Sequence, residues 1–514
     1  MNQLIHGLRL ISTVQYSGTD KQWRATRELI TVSKQGTAIV WFRRDLRLCD
    51  NPALCEAVNN CKSVIPVYIH APEEEAPWLP GQASNWWLHK SLSALSDSLQ
   101  HAGSELIIAK GPSLTRLQEI ASKTGATHLY WNRLYDPMTQ ARDSEIKQGM
   151  GEQGLHCHSF SSQLLIEPTT LKNKQGTPYK VFTAFWKVAR QRLQEMTPPL
   201  PPINKLSAPK IPFPSLPLSS LELLSKSAWY NKFETFWQPG ERGAHKQWEQ
   251  FLYNSLPYYD EQRNFPAEEH TTRLSPHLHF GEITPKQLFW TLQHENDQSP
   301  GLSQSLDRLS AQLGWREFAH YTLFHFPHTA TESMDSRFTK DHWNNSPDSR
   351  EQLERWQRGE TGIPIVDAGM KQLWQTGWMH NRVRMIVASL LTKNLGIHWL
   401  EGARWFWDTL VDADLANNTL GWQWTAGCGV DAAPYFRVFN PARQAERFDP
   451  AGRYIKTWLP EFSSADSHEL INGRQPANNR LSYPLPMLDL QKTRKQTLER
   501  WQRIKTMPKP PAPH

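Results

Sequence analysis

The sequence predicts two units joined by a linker: an α/β domain built on a doubly wound parallel sheet, then an all-α domain. Three observations predict this. Between residues 37 and 165, short apolar runs alternate with stretches of helical periodicity, the pattern of a parallel sheet with helices on both faces. Between residues 198 and 218, Pro198, Pro199, Pro201, Pro202, Pro209, Pro212, Pro214 and Pro217 exclude helix and sheet alike. From about residue 230 to 465 the period is helical almost throughout, with loops at turn residues.

Each element has its own signal. The runs at 37–42, 63–69, 105–109 and 128–131 are apolar and bounded by polar stretches, so they read as strands. Ligands of such sheets bind outside the carboxyl ends of the strands. No GxGxxG follows the first strand, so a dinucleotide site there is not supported. The expected organisation is an N-terminal extension (1–36), the α/β domain (37–165), a linker (166–229), the helical domain (230–465) and a polar tail (466–514). His6, Gly7 and Arg9 interrupt any signal-peptide core in the extension. The last residues, Met507-Pro508-Lys509-Pro510-Pro511-Ala512-Pro513, are expected to be disordered.

Composition narrows the function classes. The chain carries 57 Lys+Arg against 50 Asp+Glu, a net charge of +7, a mild bias toward polyanionic partners. No apolar run is long enough to span a bilayer. Cys49, Cys55, Cys61, Cys157 and Cys428 show no CxxC spacing, and their odd number argues against a disulfide framework and for a reducing cytoplasm. No His/Cys set completes a metal site, and Cys428 alone in the C-terminal half excludes a four-cysteine iron–sulfur cluster there. Tryptophan is unusually abundant, 23 residues concentrated after residue 228. Indoles suit base stacking, flavin packing and electron hopping as well as core filling.

Two segments carry chemistry. Trp378-Met379-His380-Asn381-Arg382-Val383-Arg384-Met385 runs into an apolar stretch and reads as a helix. On it Trp378, Asn381, Arg382 and Met385 share one face, which suits a planar polar ring and a phosphate. A partly buried amphipathic helix with a locally paired Arg explains that segment equally well. The second segment, residues 412–424, places Asp412, Asp414, Asn417, Asn418, Trp422 and Trp424 close together. Indoles are costly to leave on a solvated loop, so a bound partner is favoured there.

Read together, these segments resemble the flavin-binding half of the photolyase/cryptochrome family. Trp41-Phe42-Arg43-Arg44-Asp45-Leu46-Arg47-Leu48, Arg273-Leu274-Ser275-Pro276-His277-Leu278 and Gly314-Trp315-Arg316-Glu317-Phe318 resemble its first strand, its flavin-phosphate loop and its lesion-facing helix. Asp431-Ala432-Ala433-Pro434-Tyr435-Phe436-Arg437 and Phe439-Asn440-Pro441 complete the set. The similarity runs from about residue 37 to 465 in consistent order.

The resemblance implies FAD bound in the helical domain. Tyr259, Thr271, Thr272, Leu274 and Ser275 would hold the phosphates. Asp412 and Asp414 would contact the ribose, adenine or ring edge, with Arg384 paired to Asp412. Asn418 falls where the family places the residue facing the flavin N5. Plant-type cryptochromes carry Asp there and insect-type ones Cys, so Asn points to the repair branch, although DASH-type cryptochromes share it. Trp422, then Trp399, would relay electrons to the ring. Trp343 lies in the region of the third relay member, but its spacing to Trp356 departs from the class I pattern.

The resemblance further implies UV-damaged DNA as partner, with a cyclobutane pyrimidine dimer split by light-driven electron transfer. Trp315 and Trp424 would wall the lesion, Asn381 and Met385 would contact it, and Arg263, Arg382 and Arg437 would clamp phosphates. The (6-4) photolyases place His at the positions of Asn381 and Met385, so that chemistry is not expected. Gln312 stands where dimer photolyases carry a Glu that bonds the lesion, a departure expected to weaken repair. It is also what a lineage drifting toward sensing would show, so a cryptochrome-type photoreceptor without repair activity is the competing reading. The stretches around Gly314-Trp315, Val366–Met370 and Trp405–Asp408 look most similar to class III bacterial photolyases. The family also admits a light-harvesting antenna, commonly 5,10-methenyltetrahydrofolate. Cys49 and Met138-Thr139 depart from the class I folate site, while Trp131-Asn132-Arg133-Leu134-Tyr135-Asp136-Pro137 resembles the class III pattern. A folate in a shifted site, a deazaflavin and an empty site all stay open. A monomer is expected.

Overall fold

The computed structural model describes residues 34–209, 214–225, 229–471 and 483–508. Five strands form one parallel sheet: β1 (Thr37–Phe42), β2 (Ser63–His70), β3 (Ile107–Lys110), β4 (His128–Asn132) and β5 (His156–Phe160), in the order β3-β2-β1-β4-β5. Central β1 runs in register with β2 from Thr37 opposite Ser63 to Phe42 opposite Tyr68, and with β4 from Ala38 opposite His128. Helices α1 (Pro52–Asn60), α2 (Gln82–His101), α3 (Ser113–Thr124) and α4 (Pro137–Glu152) make the crossovers. Four strands coincide with the expected apolar runs. The fifth, β5, is a polar edge strand that hydropathy does not reveal.

The expected linker is ordered over most of its length. Its prolines cannot donate to a ladder, and neighbouring residues tie it to the α/β unit instead. Leu206 N donates to Ala102 O at 2.7 Å, Val64 N to Ser207 O at 2.9 Å, and Leu216 N to Ile108 O at 2.9 Å. Leu216 thereby covers the exposed edge of β3. The linker also contains α5 (Phe182–Arg192).

The helical unit comprises α6 (Glu241–Asn254), α7 (Tyr259–Gln262), α8 (Ser275–His279), α9 (Pro285–Gln298), α10 (Ser303–His325), α11 (Asp348–Arg358), α12 (Pro364–Thr376), α13 (Asn381–Ser389), α14 (Trp399–Thr409), α15 (Leu415–Ala426), α16 (Pro441–Phe448), α17 (Arg453–Trp458), α18 (Ser467–Ile471) and α19 (Leu490–Thr506). Its main core gathers Trp356, Trp399, Phe406 and Trp422. A second core is shared with the sheet, where Phe42 and Trp87 meet Phe233, Trp237 and Trp378. The seam is close: Gly281 (φ 65°) lies where an added Cβ would sit 2.2 Å from Arg44 O, so only glycine fits.

Two expectations change here. Helix α13 begins at Asn381, not Trp378. Gly377 (φ 67°) ends α12 in the left-handed region, and the His380 ring accepts the Arg382 N–H at 3.1 Å as the cap of α13. Trp378 therefore leaves the expected face and packs in the shared core beside Trp237. Among the described residues after 465, where a polar tail was expected, α18 and α19 form instead. Helix α19 buries Thr497 and Ile504 against the helical unit. The expectation for the N-terminal extension lies almost wholly outside the described residues, as does that for the last residues beyond Pro508.

Candidate active site

Asp412 is the hub of the site. Both its carboxylate oxygens accept from Arg384 Nη2, at 3.1 and 2.9 Å, and Ser275 Oγ donates to Oδ2 at 2.6 Å. Arg384 Nε donates to Met379 O at 2.8 Å, which fixes the plane of the guanidinium. Three distant segments meet at this carboxylate: the start of α8, the middle of α13 and the turn before α15. The sequence-expected Arg384–Asp412 pair is thus present as geometry.

Asp414, two residues on, caps α15 by accepting from Asn417 N at 2.9 Å. Its other oxygen faces the rings of His279 and His320, at 3.6 and 3.5 Å. Asp414 Oδ2, His279 Nδ1 and both nitrogens of His320 are buried without hydrogen-bond partners. At these distances Asp414 and the two rings are ion-pair partners of one another, and His320 Nδ1 is the atom of the cluster left without one. Burial works to raise the Asp414 carboxyl, yet His320 and His279 hold it well below the usual carboxylate range. Burial pushes the His320 imidazole down to about 4, against the pull of Asp414. At neutral pH the His320 imidazole is therefore neutral beside an ionised Asp414.

The loop before α8 completes the cradle. Arg273 adopts φ 52°, a costly conformation for a side-chain-bearing residue, and its guanidinium lies 5.2 Å from the Trp378 ring. Leu274 is buried, while Thr271 and Thr272 are half-buried and Ser275 is exposed. Tyr259, at the start of α7, is buried against Phe251. Hydroxyls and main-chain N–H groups of this kind receive phosphate oxygens. Together with the unpartnered His320 Nδ1 beside Asp414, they fit FAD.

On α15, Asn418 Nδ2 donates to Ala403 O of α14 at 2.9 Å, which fixes the amide. Trp422 lies edge-on to Phe406 at 5.0 Å and to Trp356 at 6.0 Å. Gly402 makes this possible, since a Cβ there would meet the Trp422 ring at 2.1 Å. Trp399 is fully buried, with its indole N–H on Ser333 Oγ at 3.1 Å. His398 then bridges to Trp343, at 5.6 Å from Trp399 and 4.8 Å from Trp343.

A second feature opens on the surface. Asn264, Arg382, Arg437, Phe439, Gln444, Arg447 and Phe448 line a cleft of about 430 Å³. Arg382 Nη2 donates to Asn264 Oδ1 at 2.7 Å, and its guanidinium stacks 4.3 Å over Phe448. Arg447 shares that ring at 5.1 Å. Burial, then Arg263 and Arg447 nearby, lower the Arg382 pKa. Of the expected clamps, Arg382 and Arg437 line the cleft, and Arg263 approaches Arg382 from beside Asn264. Met385 Sδ lies 3.9 Å from Arg382 Nη1, while Asn381 is exposed at the helix start.

Gln312, Trp315 and Trp424, the remaining expected lesion contacts, are half-buried and do not line this cleft. Trp315 lies flat on Phe182 at 3.9 Å, so one of its faces is already covered. Sequence reasoning missed His279, His320, Asn264, Arg447 and Phe448. Among the described residues no group of three or more His, Cys, Asp or Glu side chains could hold a metal ion.

Comparison with known proteins agrees with this geometry. Residues 309–503 match the family model described as the FAD binding domain of DNA photolyase, and residues 38–204 match the DNA photolyase model. The chain is 43% identical over 482 residues to the deoxyribodipyrimidine photo-lyase of Agrobacterium fabrum, covering 92% of this chain and 99% of that one. It is 38% identical to Cryptochrome-2 of Arabidopsis thaliana, over 83% of this chain and 70% of the relative. A class III photolyase structure from Agrobacterium tumefaciens superposes with a TM-score of 0.85 at 41% identity, covering 94% of this chain and all of the other. A photolyase from Sulfolobus tokodaii, solved with two FAD molecules, superposes with a TM-score of 0.77 at 27% identity, over 91% of this chain and all of that one. Family matches along both units and 43% identity over nearly the whole chain establish that this chain belongs to the DNA photolyase family.

Proposed function

We propose that the chain is a blue-light-driven deoxyribodipyrimidine photo-lyase that splits cyclobutane pyrimidine dimers in DNA. The observation that carries this is the pairing of a pre-organised FAD cradle at Asp412 with an open arginine cleft, in a chain similar to curated photo-lyases over nearly its whole length. FAD, when bound and reduced, supplies the photoexcited electron that opens the cyclobutane ring and recovers it afterwards. The chain's own residues bind, orient and exclude water. Tyr259, Thr271, Thr272, Leu274 and Ser275 receive the phosphates, and Arg384, Asp412 and Asp414 hold the polar edges. Asn418 presents a neutral amide, which tolerates a reduced anionic ring better than a carboxylate would. Trp422 and Trp399 form the inward electron relay, continued by His398 toward Trp343.

Arg263, Arg382 and Arg437 grip phosphates without reading sequence. The dimer is flipped toward Gln312, Trp315, Asn381, Met385 and Trp424, at a reduced unstacking cost because damaged bases stack poorly. The deciding experiment is blue-light repair of a thymine dimer in a short DNA by the photoreduced protein. Recovery of base absorbance in light and not in darkness is the expected result. Failure to recover, with FAD bound and DNA bound, would leave the second reading: a photoreceptor, which Gln312 and the similarity to plant cryptochromes favour.

A second chromophore such as 5,10-methenyltetrahydrofolate would sit at the carboxyl ends of β1 and β2. There Trp41, Tyr68, Phe280 and Trp407 line a cavity with Arg43, Arg44 and Arg142. Its chemistry suits a planar anion, but its volume of about 70 Å³ is water-scale rather than chromophore-scale. Side chains must therefore part for a ring to enter. We further propose a monomer, which sedimentation tests, and a cytoplasmic location. The five thiols are all unpaired, as a reducing compartment keeps them. No helix among the described residues is long and apolar enough to cross a membrane.

A further inference from the structure

Lys393 is fully buried in the π-helical turn Leu390–Asn394, which continues α13. Its Nζ donates to Arg437 O at 2.7 Å and lies 5.7 Å from the Tyr435 ring. No carboxylate pairs with it among the described ion pairs. Burial pushes its pKa down to about 7, with Cys428 opposing and Arg437 adding to the shift. An ammonium in a core with one carbonyl acceptor weakens a fold, and π-helical turns recur at functional sites. Its place therefore calls for an account other than stability.

The partner supplies one. Arg437 lies at the exposed tip of the segment between α15 and α16, two residues after Tyr435, which is buried against Phe338 and Trp501. Around Arg437 the main-chain ties outward are Ala433 N to Trp424 O at 3.1 Å and Phe439 N to Ser389 Oγ at 3.2 Å, while the segment's start is held by Asp335 N on Cys428 O at 2.9 Å and Phe182 N on Asp431 Oδ2 at 3.0 Å. Ser389 ends α13 and Lys393 follows it, so a single helix carries Arg382 at one end and supports Arg437 from the other. Helix α19 braces the turn from behind. Thr497 Oγ1 donates to Lys393 O at 2.6 Å, and Arg500 Nη1 donates to Tyr435 OH at 3.3 Å.

We propose that Lys393 is a positioning residue for DNA binding: by holding the Arg437 carbonyl it fixes the 431–440 segment so that the Arg437 guanidinium stays in the arginine cleft. This rests on the reading of Arg437 as a phosphate contact. Lys393 itself touches neither DNA nor flavin.

The test measures affinity of the FAD-loaded protein for a dimer-containing duplex over a salt series. Arg437→Ala weakens binding and lowers the salt slope by about 1. Lys393→Met does the same, although no surface charge is removed. The double variant is no weaker than Arg437→Ala alone, because one residue acts through the other. Lys393→Gln, which keeps an N–H donor, recovers affinity toward the wild type. Flavin absorbance and photoreduction rate stay unchanged throughout, and the thermal midpoint of Lys393→Met equals or exceeds that of the wild type. Additive losses, wild-type affinity for Lys393→Met beside a weakened Arg437→Ala, or a lowered midpoint for Lys393→Met each overturn the proposal. Wild-type affinity for Arg437→Ala would instead overturn the phosphate-contact reading.

Discussion

The Asp412 hub and the arginine cleft are built on opposite principles. At the hub, charges are paired: Arg384, Asp412 and Ser275 satisfy one another before any ligand arrives. In the cleft, Arg263, Arg382 and Arg447 crowd one another, and Arg382 rests on an amide oxygen and an aromatic ring rather than a carboxylate. A paired hub suits a cofactor that stays, since little reorganisation is needed when it binds. Crowded cations suit a polyanion that comes and goes, since binding relieves their repulsion and releases counterions.

The largest effect that tests this contrast is Asp412→Ala. It strands the Arg384 guanidinium beside Ser275, at a cost of about 3 kcal/mol or more for a broken, largely buried pair. The expected outcome is a purified protein without flavin colour and with a lowered thermal midpoint. Retention of FAD would remove the hub from the cofactor site.

Glu317 comes next, because α10 carries it three residues before His320, which faces Asp414 at the cofactor side. Burial raises the Glu317 carboxyl to about 7, against Arg316 and the N–H groups of Ile166 and Leu165. Its folded pKa thus exceeds the unfolded value, so the native state keeps the proton that the unfolded chain loses. Stability is then highest below about pH 4.5 for this group, falls as pH rises toward 7, and is flat beyond. The drop is about 3 kcal/mol. Glu317→Gln should flatten that slope in denaturant titrations across this window, and an unchanged slope would refute the assignment.

In the cleft, Arg382→Ala should leave flavin content intact, weaken DNA binding and lower the salt slope by about 1. Loss of FAD in this variant would erase the distinction between the regions. The smallest effect is at Gln312. If position 312 meets the lesion as proposed, a carboxylate there would form a stronger hydrogen bond than the neutral amide, by about 1 kcal/mol. Gln312→Glu should therefore raise the repair yield per absorbed photon, and an unchanged yield would make the position unimportant here.

How much was legible in the sequence follows the same division. The hub was readable because Ser275, Arg384 and Asp412 fall in three short motifs, whose family resemblance implied the Arg384–Asp412 pair. His279 and His320 were not, because the residue they face is Asp414, far along the chain. The cleft was half readable: Arg382 and Arg437 fall in motifs, whereas Arg447 and Phe448 belong to the otherwise unremarked α16. Strand β5 escaped notice because His-Cys-His-Ser-Phe has no apolar alternation, its order coming from pairing with β4. Helix α19 read as polar because only Thr497 and Ile504 among its residues are fully buried. Trp378 was misplaced by one turn because a histidine cap has no strong sequence signature.

The hydrogen bond from Ser275 to Asp412 spans 137 residues of chain. A cradle closed by so distant a pair cannot exist on a partly synthesised or half-folded polypeptide. Flavin should therefore be captured late and in one step, appearing in refolding experiments only as the last slow change in tryptophan emission completes. In a cell, the number of coloured molecules would then report the number of finished folds rather than the supply of vitamin.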